Sequence, residues 1–93
     1  MPKNIKLPST KEEVYKSTHM ANRLENFIYS PQFVEGMYDM AEEIMNFEFN
    51  IPPVSKARYI KYLSDKLNEA LFIRDHYSVR YILKAFRILG VHF

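Results

Sequence analysis

The 93-residue chain has no cysteine and only two glycines. None of its apolar runs approaches the roughly 20 residues that a membrane-spanning helix needs. Without cysteine, disulfide scaffolds, thiolate zinc sites and cysteine nucleophiles are excluded. So little glycine leaves no material for a phosphate-cradling loop of the Walker or dinucleotide type. The opening Met1-Pro2-Lys3-Asn4-Ile5-Lys6-Leu7-Pro8 is charged and broken by proline, unlike the apolar stretch of a signal peptide, so a cytoplasmic location is expected. Hydrophobic residues, in contrast, make up 47% of the chain and include seven tyrosines and seven phenylalanines, which excludes a disordered polymer. The length suits one compact domain and is too short for two. Phe, Tyr, Met, Ile, Asn and Lys supply 41 of the 93 residues, a bias expected of AT-rich codons and so of an AT-rich bacterium, phage, virus or mobile element as the source.

Hydrophobic periodicity predicts an all-α bundle of about four helices over residues 10–93, preceded by a flexible arm over residues 1–9. Thr10 and Glu13 have capping-box spacing and open helix 1, whose expected core face is Val14, Ala21, Leu24 and Ile28 beside Ser17 and Thr18. Ser30-Pro31 reads as N-cap and first residue of helix 2, which is expected to reach about Phe47. Gly36 is a weak point inside it. Pro52 and Pro53 separate it from helix 3, expected from Pro53–Ser55 to about Ile73, with Ala57, Ile60, Leu63, Leu67, Ala70 and Leu71 buried. Asp75 is the expected N-cap of helix 4 and Gly90 its left-handed terminator. The turn at Asp75 is short enough to make helices 3 and 4 a tight hairpin.

Helix 4 has the widest apolar arc. Val79, Ile82, Leu83, Phe86 and Leu89 form one face, and Tyr77, Tyr81, Ala85 and Ile88 extend it until a single polar strip is left, Arg80, Lys84 and Arg87 at i, i+4, i+7. Such a helix is either central in its bundle or shares its second face with another molecule. With Tyr62 and Ile73 at the edges of helix 3, residues Tyr77, Tyr81 and Ile88 are therefore the expected protein interface. Met20 and Phe27 are expected at exposed edges of helix 1.

Charge is distributed unevenly. Residues 1–50 hold five Lys/Arg against eight Asp/Glu, and residues 51–93 hold eight against three. Either the halves complement each other, within the fold or across an oligomer, or the basic half faces a polyanion. Arg80, Lys84, Arg87, Arg58 and Lys61, interleaved with tyrosines, are candidate contacts for nucleic acid or an acidic partner. Asp65 and Glu69 offer Lys61 and Lys66 local partners instead. The helical pair from Tyr59 to Gly90 resembles the helical hairpins of small antitoxin-type repressors, although the recognition helix that follows in those proteins has no counterpart before Phe93.

No catalytic constellation is legible. His19, His76 and His92 are scattered, with no HExxH or Glu-x-x-His spacing to place two ligands on one helix face. Glu35, Asp39, Glu42 and Glu43 read as a solvated acidic face. The expectation is a small non-enzymatic regulatory or adaptor protein without cofactor or metal, acting through a protein partner or self-association and not through a membrane. A DNA- or RNA-binding regulator using the basic hairpin is the alternative.

Overall fold

The computed structural model describes residues 7–49 and 51–91. Four helices form within them: α1 (Lys11–Tyr29), α2 (Val34–Asn46), α3 (Pro53–Phe72) and α4 (His76–Ile88), with no β-strand among the described residues. Residues 1–6, most of the expected arm, and His92 lie outside the described residues.

Local chemistry sets most helix ends. Thr10 Oγ1 accepts from the Glu13 N–H while Glu13 Oε1 accepts from the Thr10 N–H, so two donors that the helix cannot satisfy itself are paired reciprocally. Both N–H and hydroxyl of Ser9 add bonds to the same carboxylate, and together these donors hold the Glu13 carboxyl below its ordinary range. Asp75 caps α4 by accepting from the Ser78 N–H and hydroxyl, which lowers its own pKa.

The C-termini of α3 and α4 close with one hydrogen-bond pattern. Asp75 N–H reaches Ala70 O and Arg74 N–H reaches Leu71 O. Likewise Val91 N–H reaches Phe86 O and Gly90 N–H reaches Arg87 O. The pattern requires a left-handed residue in each turn. Gly90 supplies it after α4 with φ 77°, but after α3 the position is Arg74 at φ 59°, where a Cβ is sterically disfavoured.

The start of α2 differs from the sequence reading. Ser30 ends α1, its hydroxyl donating back to Asn26 O, and α2 begins only after Phe33, which has no side-chain cap to offer. Ser30 is the C-cap of α1 and stands four residues before Val34, too far upstream to occupy the N-cap position of α2. Gly36 needs no close backbone neighbour: an added Cβ would meet only Gln32 Oε1 at 3.5 Å and Phe27 Cε2 at 3.9 Å.

Two layers result. α2 packs beside α4, α4 beside α3, and α3 beside α1. Contacts of Glu35 with Tyr77 and of Tyr38 with Tyr81 advance together, so α2 and α4 run parallel. Glu25 with Arg58 and Phe27 with Tyr59 and Tyr62 make α1 and α3 parallel as well, opposed to the other pair. The shortest extent of the molecule, 19 Å, matches two helix layers spaced by about 8–10 Å. Leu24, Leu63, Ile82, Phe86 and Tyr59 are sealed between them.

The buried faces of α1 and α3 are turned by roughly 60° from the expected ones at 100° per residue. Val14, Ala57 and Leu71 are exposed, whereas Met20, Tyr59 and Tyr62 are buried. The reason is aromatic. Phe27 meets Tyr59 and Tyr62 edge-on, while those two tyrosines stack on each other, and the combined area of the rings outweighs that of smaller aliphatic groups on the neighbouring face. Phe27 is accordingly packed against the core and not on an exposed edge. The Tyr59 hydroxyl donates to Met37 O on α2, so its burial leaves no polar atom unpaired, and burial pushes its pKa far above the usual tyrosine value.

Candidate functional site

The residues expected at a protein interface and those expected to meet a polyanion or acidic partner divide among four places. Tyr77, Tyr81 and Ile88 lie on the flank of α4 that meets α2. Arg80, Lys84 and Arg87 occupy the outward face of α4, all exposed. Arg58, Lys61 and Tyr62 sit across the fold on α3, near α1. Ile73 stands at the α3–α4 turn.

Tyr62 is corrected from interface to core: it is 8% exposed, and its ring packs against Phe27 and Tyr59 while Lys66 Nζ rests 5.7 Å from its centre. Arg58 also has an internal role. It pairs with Glu25 at 2.6 Å, donates to the Tyr29 hydroxyl and lies over the Tyr29 ring, tying α1 to α3. Lys61 pairs with Asp65 and Lys66 with Glu69 along α3, while remaining at the surface. None of these cations faces the Arg80, Lys84 and Arg87 strip.

The seam between α2 and α4 is built from tyrosines. Tyr77 donates its hydroxyl to Glu35 Oε1, which lowers the Glu35 pKa and raises that of Tyr77. Tyr81 packs edge-on against Tyr38 and tilts against Tyr77, and Lys84 Nζ lies 5.2 Å over the Tyr81 ring. Tyr81 and Ile88 are half-buried here, and Tyr77 is 55% exposed. The expected wide apolar arc of α4 is thus partly absorbed by α2. Leu83 departs from the expected core and is exposed on the other margin of the outward face.

Glu35, Asp39 and Glu42 stand outward on α2 beside this seam. Glu43, the fourth residue of the expected acidic face, turns toward α1 and takes a two-oxygen ion pair from Arg23 at 3.0 and 3.2 Å. At the end of the molecule where α2 begins and α3 turns into α4, Phe33 is 84%, Phe72 88% and Ile73 64% exposed.

Sequence reasoning missed the groove between α1 and α2, a cleft of about 370 Å³ lined by Tyr15, His19, Met20 and Phe47. Its only signal was the aromatic pair Tyr15 and His19 at i, i+4, which stack at 6.1 Å. Among the described residues, no three His, Asp or Glu side chains gather as a metal site would require, and no helix is long and apolar enough to cross a membrane.

No protein-family model, curated protein or solved structure matches the chain.

Proposed function

We propose that this chain is a small, non-enzymatic regulatory or adaptor protein of the cytoplasm that works by protein–protein contact, including self-association, through the outward face of α4 and its tyrosine margin. The observation that carries the reading is Tyr77: a large aromatic residue left 55% exposed in the isolated chain, on the same helix as the exposed cations Arg80, Lys84 and Arg87 and next to the turn that exposes Phe72 and Ile73. Contiguous aromatic and arginine surface with an apolar centre is the composition of contact patches.

Nucleic-acid binding by the same strip is the second reading, favoured by the exposure of Arg80, Lys84 and Arg87, to which no carboxylate is paired among the described residues. It ranks lower because Glu35, Asp39 and Glu42 stand on the adjacent helix, about 9 Å away, a distance comparable to the Debye length at physiological salt, and would repel the same phosphates. Affinity capture of the intact protein from its host, with and without nuclease, separates the two. Recovery of a stoichiometric protein that survives nuclease and is lost on Tyr77→Ala supports the first reading. Nuclease-sensitive recovery, with a salt slope that flattens on neutralising Arg80, Lys84 and Arg87, supports the second.

A further inference from the structure

We propose that the outward face of α2 and α4 binds a second copy of the chain, related by a twofold axis running along the tyrosine seam parallel to both helices. The inference rests on the reading of this face as a protein contact surface and names its occupant.

Glu35, Asp39 and Glu42 on α2 repeat the i, i+4, i+7 spacing of Arg80, Lys84 and Arg87 on α4. At 100° per residue each triplet makes one strip along its helix, and both strips point away from the α1/α3 layer. One face of the molecule is therefore acidic along one side and basic along the other, with Tyr38, Tyr77 and Tyr81 between. The ion pairs of Arg23, Arg58, Lys16, Lys61 and Lys66 all involve α1 or α3, and no ion pair joins α2 to α4 among the described residues.

The parallel course of α2 and α4 makes this face self-complementary. A twofold along the seam exchanges left for right and leaves height unchanged, so α2 of one copy covers α4 of the other. Height is fixed by the seam itself, where Glu35 is level with Tyr77 and Tyr38 with Tyr81. Asp39 of one copy then comes to a height between Arg80 and Lys84 of the other, and Glu42 level with Lys84, each contact occurring twice. A twofold across the helices would instead lay acid on acid and base on base, so charge selects the axis. Two helices of 13 residues side by side offer a footprint of roughly 400 Å², about half the area per partner of a tight complex. The dimer is accordingly weak, rapidly exchanging and salt-sensitive.

The test is sedimentation equilibrium of the full chain over roughly 1–500 μM, with charge swaps, since this range brackets the affinity expected of a small interface. The wild type should dimerise with concentration, with Kd rising about tenfold as salt goes from about 0.05 to about 0.5 M. Asp39→Lys with Glu42→Lys should be monomeric, and so should Arg80→Glu with Lys84→Glu. These are surface positions, and unchanged circular dichroism would verify the fold. An equimolar mixture of the two variants should restore a dimer, as should a single chain bearing all four changes.

A wild type that stays monomeric throughout overturns the proposal. So does a dimer indifferent to the swaps, or swapped chains that fail to recover. If the wild type is monomeric while Tyr77→Ala still abolishes nuclease-resistant capture of a different protein, the second copy falls and the contact-surface reading stands. Loss of nucleic-acid recovery in Arg80→Glu with Lys84→Glu, without dimerisation in the wild type, assigns the strip to phosphates and overturns the dimer.

Discussion

The two arms of the C-terminal hairpin are both basic, yet they use their cations differently. On α3, Arg58, Lys61 and Lys66 each have a carboxylate, from Glu25, Asp65 and Glu69. On α4, Arg80, Lys84 and Arg87 have none among the described residues, and Lys84 rests on an aromatic ring instead. The cause is plain in the chain: α3 contains acidic residues one turn from its lysines and crosses an acidic residue of α1, whereas α4 contains no Asp or Glu at all. Positive charge in one arm is consumed by the fold, and in the other it faces outward. Composition alone makes the arms look interchangeable, and only packing tells them apart.

The comparison breaks most severely at Tyr59, through which α3 acts as the spine of the bundle. Tyr59→Ala should destabilise by about 3–5 kcal/mol, because it opens a cavity where α1, α2 and α3 meet, while Tyr59→Phe should cost only about 1 kcal/mol for the lost bond to Met37 O. Urea denaturation of both variants checks the difference. Arg58 and Arg80 sharpen the contrast between the arms directly. Arg58→Ala removes an ion pair, a hydrogen bond and a ring contact, at about 1 kcal/mol after allowance for solvent screening. Arg80→Ala should move stability by less than about 0.5 kcal/mol. Equal effects would show that the fold uses both arms alike.

The two helix ends allow a gain in stability. Arg74→Gly relieves the left-handed position after α3 and should stabilise by about 0.5–1 kcal/mol, whereas Gly90→Ala should destabilise, since φ 77° is strained for any side chain. The smallest effect is on pH dependence. The Asp75 carboxyl titrates below its ordinary 3.8 when folded, so the unfolded chain binds its proton first. Its stabilisation is complete above that value and is lost as pH falls through the depressed folded pKa. Thermal melts should therefore fall less steeply on acidification in Asp75→Asn, with the remaining slope due to carboxylates such as Glu13 and Glu35.

Legibility followed the range of the interaction. The caps at Thr10, Asp75 and Gly90 could be read because each joins atoms within a few residues, and the helical content followed from periodicity. Ser30 misled because one hydroxyl had two local uses. The wheels of α1 and α3 gave an amphipathic helix but not the edge of its buried arc, which Phe27, Tyr59 and Tyr62 pulled toward themselves. The candidate contact residues separated for the same reason. Tyr62 and Arg58 look as exposed in sequence as Tyr77 and Arg80, and only the placement of α1 buries one and pairs the other.

By itself the sequence determined four helices, most of their ends, the short hairpin between the last two and the uneven division of charge, because these depend on chain-local sterics, hydrogen bonding and composition. The tertiary structure decided which tyrosines lie inside, which cations keep a free face, and that the acidic and basic strips run parallel on one side of the molecule. Those depend on the direction and rotation of each helix against its neighbours, a sum over long-range contacts that no window of residues contains.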